Sequence, residues 1–395
     1  MMLKRIIFAA SMVIAMSSFA VFPRPASGQT TVKFGALLAL SGPLASAGRE
    51  IKDGIELAVA DVNARGGIKS LGGAKIEVVF GDSQAKPDVA TSETERLVNR
   101  EQVLAIMDMF PSVATLAATQ AAERLKTPFY VGISVADNIT SRGFKYTFQQ
   151  LPVATELAVF EIEYLGELEK AAGRKFERVA VLHEDGDFGQ AISKAVVSLL
   201  KQQGRQVIGP FSYSARTADV TTMLTRVKAD NPDAVIQASY IGDAILIART
   251  SARIGLTVPF IDSGGKAQQS YIEAAGAAGE GNFVVTYWNK DIPGAKALNE
   301  RYKAKVGKDM PSHAADLYQA VVTLSQALEM AGKAEREALR DALTKLEIKP
   351  GPNLVLPYKQ IKFDENGLIS GSGSLMARVT KGEFVTVWPK QFAPQ

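Results

Sequence analysis

The stretch SGPLASAGREIKDGIELAVADVNARGGI, Ser41 to Ile68, joins a short turn, an amphipathic run and two adjacent glycines. The turn Ser41-Gly42-Pro43 follows an apolar run, and Ser46 is a candidate N-cap for a helix with apolar residues at helical spacing. Gly66 and Gly67 can adopt the left-handed backbone conformation that ends a helix. The segment therefore predicts a strand, a turn and a helix, in that order.

The same alternation continues along the chain. Runs rich in β-branched residues predict strands at 31–40, 75–82, 103–109, 127–134, 178–184, 205–213, 233–240, 258–264 and 281–288. Apolar residues at helical spacing predict helices at 51–62, 90–99, 114–125, 190–203, 220–229, 243–254, 295–306, 313–331 and 334–346. Strands that are apolar on both faces and separated by helices form doubly wound parallel sheets. The predicted fold class is α/β, with a strand, a turn and a strand over 361–388.

The composition indicates two domains without disulfides. The chain has 395 residues, of which 47% are hydrophobic and 22% charged, and it has no cysteine. A single hydrophobic core does not usually grow to this length, so two cores are expected. Their stability must come from packing alone, because the chain cannot form a disulfide framework.

Residues 1–28 have the pattern of a cleaved secretory signal. Two basic residues precede the apolar run IIFAASMVIAM, Ile6 to Met16, which is too short to span a bilayer. Small residues offer cleavage sites after Ala20 and after Gly28, and we expect the second to be used. An uncleaved anchor is the alternative. Because no cysteine follows either site, the mature chain is predicted to be periplasmic and not a lipoprotein.

The charge balance gives little support for nucleic-acid binding. The formal net charge of +4 falls by three, to +1, when the predicted signal is removed, because Lys4, Arg5 and Arg24 lie within it and no acidic residue does. A nearly neutral chain lacks the basic surface that nucleic-acid-binding proteins use. No nucleic acid is therefore expected as a partner.

The sequence shows no pattern of catalytic or metal-binding residues. The two histidines, His183 and His313, have no paired ligand spacing, so neither a metal site nor a histidine-based triad is predicted. P-loop, GxSxG and GxGxxG motifs are also missing. Asp185 and Asp187 follow a predicted strand and fit a turn as well as a catalytic pair. We predict no catalytic residue, no metal, no cofactor and no enzymatic activity.

The stretch SVAT, Ser112 to Thr115, is a candidate anion site. It follows one predicted strand and begins a predicted helix. Hydroxyls and backbone N–H groups at a helix N-terminus attract anions such as carboxylates. An ordinary N-cap would explain the same residues, so the stretch alone does not decide between the two readings.

Several segments together resemble one family. The turn Ser41-Gly42-Pro43 and the stretches LAVADVNARGGI, SVATLAA, VLHEDGDFGQ and IKFDENG are similar to those of the periplasmic branched-chain amino acid binding proteins, the type I solute-binding subunits of ABC importers. The resemblance runs in order through nearly the whole mature chain. It implies two α/β lobes, joined by three crossing strands, that close on a ligand as a hinge.

The resemblance also implies where the lobes divide. The crossings correspond to residues 148–152, 284–288 and 359–363. Lobe one would then consist of residues 29–149 and 288–359, and lobe two of residues 150–287 and 360–395.

The family's pocket can be matched position by position on the first lobe. The serine that holds the ligand's carboxylate corresponds to Ser112. The stretch that holds both ends of an α-amino acid corresponds to Ile133-Ser134-Val135, where valine replaces a common threonine. Met109 and Phe110, shortly before Ser112, are added as candidate lining residues.

On the second lobe, Phe188 and Tyr240 match the family's pocket aromatics. Two positions, one on each lobe, depart from the family's pattern. The acid that pairs with the ligand's ammonium aligns with Gly264, and Asp262 beside it is the nearest replacement. Ala47 stands where relatives often carry an aromatic ring over the ligand's side chain. A buried ammonium without a carboxylate would be costly. The ligand is therefore expected to be a small carboxylate, either an α-amino acid or an aromatic or other organic acid, with amides left open.

The resemblance implies a periplasmic receptor that acts as a monomer and presents its closed form to an ABC permease. Two other functions remain open at this point. The same fold serves ligand-sensing subunits of receptors and regulators, and an exported α/β enzyme is a third reading, although no catalytic motif supports it.

Overall fold

The computed structural model describes residues 31–108 and 111–394, so the predicted signal peptide, Met109 and Phe110 lie outside the described residues. The first part of the chain forms one sheet of five parallel strands in the order β2-β1-β3-β4-β5. Its strands are β1 (Thr31–Leu38), β2 (Lys75–Asp82), β3 (Ile106–Asp108), β4 (Phe129–Val131) and β5 (Thr147–Gln149). Only β5 was not predicted from the apolar runs, and it overlaps the crossing that the resemblance implies at 148–152.

Helices cover both faces of this sheet because both faces are apolar. The first three are α1 (Ala45–Ala64), α2 (Pro87–Asn99) and α3 (Ser112–Arg124). Neighbouring side chains of β1 point to opposite faces. Phe34 belongs to the buried cluster on the α1 side. Leu37 packs on the other face with apolar residues of α2 and α3.

The turn that leads from β1 into α1 differs from its prediction at one residue. Helix α1 begins at Ala45, so Ser46 lies inside the helix and the N-cap prediction was wrong. The turn is held instead by Asp82, whose carboxylate accepts the Ser41 hydroxyl at 2.6 Å. The predicted stop is confirmed, because the helix ends just before Gly66 and Gly67, with φ of 105° and 70°.

A second sheet of seven strands has the order β12-β11-β10-β9-β8-β6-β7. Its strands are β6 (Arg178–Glu184), β7 (Gln206–Tyr213), β8 (Ala234–Ala238), β9 (Phe260–Asp262), β10 (Phe283–Thr286), β11 (Leu375–Thr380) and β12 (Glu383–Trp388). The first five are parallel, and β11 and β12 add an antiparallel edge. Residues 361–374 form only isolated bridges, so the first part of the predicted tail strand is shorter than expected.

Five helices accompany this second sheet. They are α4 (Ala154–Ala172), α5 (Asp187–Gln202), α6 (Thr221–Ala229), α7 (Ile241–Ile254) and α8 (Gln269–Ala275). The apolar face that carries Val181 packs with α4 and α5. The opposite face, with Leu182, packs with α6 and α7. Helices α4 and α8 were not predicted, and α4 becomes important below because it places a glutamate behind the candidate site.

The chain then returns to the first sheet with α9 (Ala295–Val306), α10 (Ser312–Ala331) and α11 (Arg336–Leu343). Helix α10 packs closely on α1. A Cβ atom at Gly54 would lie 2.4 Å from the carbonyl oxygen of Ala314, so only glycine allows this approach. The chain passes between the sheets three times, after β5, after β10 and before β11, which confirms the predicted fold class. Within the described residues, no helix is long and apolar enough to cross a bilayer.

Candidate functional site

A cavity lies where the carboxyl ends of the strands of the two sheets face each other. It contains about 390 Å³ of space free of protein atoms, part of it open to solvent. The residues that line the cavity are Ser112, Ile133, Ser134, Val135, Phe188, Ser239, Tyr240, Ser263, Gly264, Gly265, Tyr287 and His313.

The wall from the first sheet carries hydroxyl groups. Ser112 is the first residue of α3, and Ile133, Ser134 and Val135 follow β4. Parallel strands place their carboxyl ends at one edge of a sheet, and this brings the two segments together. Ser112 and Ser134 are almost fully buried. The first turn of α3 adds its helix N-terminus, which favours a negative charge at this wall.

Ser134 is connected to a buried carboxyl group. Its Oγ lies 2.7 Å from Oγ1 of Thr115, and the Thr115 hydroxyl is in turn hydrogen-bonded to Oδ2 of Asp108. The other oxygen of Asp108 accepts a long hydrogen bond, 3.4 Å, from the backbone N–H of Gly132. Burial raises the pKa of Asp108 to about 8, and these two hydrogen bonds oppose the shift only in part.

The wall from the second sheet is aromatic. Phe188 lies in the first turn of α5 and Tyr240 directly precedes α7. Their ring centroids are 5.5 Å apart. The Tyr240 hydroxyl oxygen accepts a hydrogen bond from the backbone N–H of Ser112, and burial holds the pKa of Tyr240 well above its usual range. Tyr240 therefore spans the cavity and contacts the opposite wall at the start of α3.

The loop after β9 brings backbone and small side chains to the cavity. A Cβ atom at Gly265 would lie 1.8 Å from the carbonyl oxygen of Ser239, so a larger residue does not fit there. Asp262 is fully buried and does not line the cavity. Its carboxylate accepts the backbone N–H groups of Gly264 at 3.0 Å and Lys266 at 3.1 Å. These hydrogen bonds hold the loop, and a ligand-binding role of Asp262 stays a prediction.

Ser263 connects the cavity to a second buried carboxyl group. Its hydroxyl is hydrogen-bonded to Oε1 of Glu161, which belongs to α4 and is fully buried. Oε2 of Glu161 has no hydrogen-bond partner within the described part of the chain. Burial raises the pKa of Glu161 to about 8, and the charge of Asp262 adds to the shift. Sequence reasoning missed Glu161 because α4 was not predicted.

Five lining residues were not among the candidates, namely Ser239, Ser263, Gly265, Tyr287 and His313. His313 lies in the first turn of α10, and its Nδ1 is 3.0 Å from Oδ2 of Asp316. Burial raises the pKa of Asp316 to about 6 against the opposing effect of His313. Tyr287 follows β10, and its buried hydroxyl has no hydrogen-bond partner among the described residues. His313 could have been singled out as one of only two histidines, whereas nothing in the sequence marked Tyr287.

Ala47 and Lys266 lie outside the cavity wall. Ala47 is fully buried in α1, and its place beside the ligand stays a prediction. Lys266 is also buried, with its ammonium 5.5 Å from the ring centroid of Phe260. Over residues 31–108 and 111–394, no three potential ligands are close enough to hold a metal ion.

Contacts on one flank also join the two sides of the cleft. Glu50 of α1 accepts the backbone N–H of Ser270, in α8, at 3.0 Å. Burial raises the pKa of Glu50. Lys308, just after α9, forms an ion pair of 2.6 Å with Glu273 of α8. Both members of this pair are half-exposed, so it contributes little to stability by itself.

Two α/β lobes with one cavity between the carboxyl ends of their sheets define a two-lobed solute-binding protein. The family model for periplasmic binding proteins matches residues 31–382. A relative from Brucella melitensis biotype 1, named Leu/Ile/Val-binding protein homolog 7, is 30% identical over 388 residues, covering 95% of this chain and 96% of the relative. The chain therefore belongs to the periplasmic binding protein family, and Leu/Ile/Val-binding proteins are among its relatives.

Two solved structures show the same fold. The branched-chain amino acid binding protein LivJ of Streptococcus pneumoniae, in complex with isoleucine, has a TM-score of 0.79 and 23% identity, and the alignment covers 90% of this chain and 98% of LivJ. A solute-binding protein of R. palustris, in complex with benzoate, has a TM-score of 0.78 and 20% identity, with 90% and 95% covered. Proteins of this fold thus bind both an amino acid and an aromatic acid.

Proposed function

We propose that this protein is the periplasmic receptor of an ABC importer and captures a small carboxylate between its lobes. The observation that carries the proposal is the composition of the cavity. Hydroxyls of Ser112 and Ser134 and the start of α3 form one wall, and the rings of Phe188 and Tyr240 form the other. A ligand that contacts both walls stabilises the closed arrangement over an open one.

The lobe division proposed is residues 29–149 with 288–359, and 150–287 with 360–395. Three observations support it. Strands up to Gln149 belong to the first sheet, strands from Arg178 to Thr286 belong to the second, and the strands after residue 374 return to the second. The connections between the sheets would then act as the hinge.

We propose an α-amino acid as the first ligand class to test. Gly264 supplies no acid to the wall, but the Glu161 carboxyl group lies directly behind Ser263 with one oxygen unpartnered. A ligand ammonium that hydrogen-bonds to the Ser263 hydroxyl would be paired with Glu161 through that hydroxyl. The isoleucine in the LivJ complex is a ligand of this class.

An aromatic or aliphatic acid without an amine is the second candidate. Burial keeps Glu161 neutral at pH 7, because its pKa is raised to about 8. A neutral glutamic acid does not require a cation beside it. The apolar part of the wall, with Ile133, Val135, Phe188 and Tyr240, suits a ring or a branched chain, as in the benzoate complex of the R. palustris protein.

The same site favours binding over chemistry. The hydroxyl of Ser134 is engaged with Thr115, and the hydroxyl of Ser263 with Glu161. A serine nucleophile needs an ionised base beside its hydroxyl. Burial raises the pKa values of Glu161 and Asp108 to about 8, so both carboxyl groups are mainly protonated at pH 7. We therefore propose that the ligand is released unchanged, which chromatography of the recovered ligand would check.

Location and partners complete the proposal. Residues 1–28 would direct export and be removed, and the mature monomer would deliver its ligand to a permease in the inner membrane. Permease and ATPase genes beside this one would support transport. A neighbouring sensor kinase or regulator gene would support a sensing role instead.

The decisive experiment is a thermal-shift screen of the mature protein with matched pairs of ligands. Leucine and 4-methylpentanoate share a skeleton and differ in the amine, and benzoate supplies the ring. A ligand at a hundred times its Kd adds about 2.7 kcal/mol to the stability of the folded state. A shift with leucine alone supports the amino acid, a shift with the amine-free acids alone supports the second candidate, and no shift with any carboxylate contradicts the proposed function.

A further inference from the structure

A continuous chain of polar groups leads from the cavity into the core of lobe one. It consists of the hydroxyls of Ser134 and Thr115 and the carboxyl group of Asp108. All three residues are at most 2% exposed. Since only Ser134 reaches the cavity, the other two groups can affect a ligand only through it.

The direction of the hydrogen bonds in this chain depends on one proton. Each hydroxyl has a single hydrogen to donate. An ionised Asp108 only accepts, so Thr115 would donate to it, Ser134 would donate to Thr115, and Ser134 would present only lone pairs to the cavity. A protonated Asp108 reverses the chain, because it donates to Thr115. Thr115 then donates to Ser134 at 2.7 Å, which is closer than its other acceptor, the Pro111 carbonyl at 3.4 Å, and Ser134 donates into the cavity.

The surroundings of Asp108 favour the protonated form. Thr115 faces it from α3, and the backbone N–H of Gly132 faces it from β4 at 3.4 Å. From α10 the neighbour is apolar, since Leu317 packs at Gly132 next to the Asp108 backbone. Within the described part of the chain, no charged side chain contributes to the raised pKa of Asp108. An isolated buried carboxylate is costly and takes up a proton instead.

We propose that Asp108 is a positioning residue: when protonated, it orients the Thr115 hydroxyl toward Ser134, and Ser134 then donates a hydrogen bond to the ligand's carboxylate. The inference rests on the proposed function and deepens it. A carboxylate only accepts hydrogen bonds, so a donating Ser134 selects it, whereas a Ser134 that only accepts repels it. The binding wall thus gains a donor without gaining a charge.

The first test concerns Asp108 alone and needs no ligand. Carbon-13 NMR of the mature protein labelled at aspartate carboxyl carbons follows each resonance between about pH 5 and about pH 9.5. Asp243 in lobe two also has a pKa raised to about 8, so Asp108→Asn assigns the signal. We expect one resonance with a midpoint near 8 that Asp108→Asn removes. A signal for Asp108 that titrates below about pH 6 would overturn the inference.

The second test measures the effect on binding. Isothermal titration with leucine, 4-methylpentanoate and benzoate gives Kd at about pH 7 and about pH 9. Because the ionised form opposes a carboxylate, the wild-type Kd should rise on the order of tenfold over this range. In Asp108→Asn, whose amide donates to Thr115 at every pH, this rise should disappear. Glu161 and Lys266, whose pKa values are also shifted to about 8, are present in both proteins, so the comparison isolates Asp108.

Two more variants separate the chain from general effects on folding. Thr115→Val breaks the chain and should raise Kd about tenfold at pH 7, with no further rise at pH 9. Thr94→Val is the matched control, because Thr94 is equally buried in lobe one but hydrogen-bonds only to the backbone of its own helix, and it should keep the wild-type profile.

The outcomes distinguish failure of the role assigned to Asp108 from failure of the proposed function. Binding of none of the three carboxylates would overturn the proposed function, and the role of Ser134 with it. Tight binding with the wild-type pH dependence in Asp108→Asn would overturn the inference alone.

Discussion

Replacing Glu161 with glutamine tests whether the buried carboxyl group behind Ser263 recognises an amine. Glutamine keeps the size of the side chain and can still hydrogen-bond to Ser263, but it cannot become negatively charged. The change therefore removes the charge and leaves the wall in place. We expect Glu161→Gln to reduce the preference of the protein for leucine over 4-methylpentanoate.

The size of the effect follows from two opposing contributions. Removing one partner of a buried, hydrogen-bonded charge pair costs about 2 to 5 kcal/mol. Ionising Glu161 at pH 7 costs about 1 kcal/mol, because its pKa of about 8 lies about one unit higher. The net loss is about 1 to 4 kcal/mol, so the ratio of the two Kd values should change by roughly fivefold to several hundredfold.

Isothermal titration of both ligands to both proteins at pH 7 gives this ratio directly. Glu163→Gln is the control, because Glu163 lies on the same helix but is exposed. A Glu161→Gln protein with an unchanged ratio would refute the assignment of Glu161 to the amine. An equal loss for both ligands would refute it too, because it would show a general disturbance of the site.

Three other predictions can be checked with standard assays. Ser112→Ala should raise the Kd for a carboxylate roughly tenfold to a hundredfold in isothermal titration, because one hydrogen bond to a charged group is lost. An unchanged affinity would show that Ser112 does not hold the carboxylate. Gly54→Ala should lower the melting temperature by several degrees, because the new Cβ would meet the Ala314 carbonyl, whereas Gly166→Ala, in open space on α4, should not lower it. The free energy of unfolding should fall as pH rises from about 5 to 8, because Glu161 stays protonated in the folded state and ionises when the chain unfolds. Glu161 alone should contribute a fall of about 1 kcal/mol per pH unit. Denaturant titrations of Glu161→Gln should therefore show a shallower fall.

Much of the fold could be predicted because its signals are local. Strands with two apolar faces and the spacing of apolar residues in helices depend on near neighbours, and both were read correctly for most elements. Helix α4 was missed because glutamates, including the buried Glu161, are interleaved with its apolar residues. The N-cap at Ser46 was wrong because Asp82, distant in sequence, holds the turn instead.

The same difference between local signals and distant contacts decides which site residues could be predicted. Ser112 and Ser134 reach the cavity because each follows a strand of the first sheet, a position that sequence can identify. Asp262 also ends a strand, yet its carboxylate is hydrogen-bonded to the backbone of the following loop and does not line the cavity. Tyr287 and His313 arrive from elements that only the folded chain brings near, so no local pattern could place them there.

The ion pair between Lys308 and Glu273 makes movement of the lobes measurable. The two residues belong to helical regions on opposite sides of the cleft, and half of each side chain is exposed to solvent. The natural chain has no cysteine, so a thiol introduced at either position would be the only site for a thiol-reactive dye. Opening of the cleft would separate the dye from the facing helix and change its fluorescence. The protein could therefore be turned into an optical sensor for its own ligand.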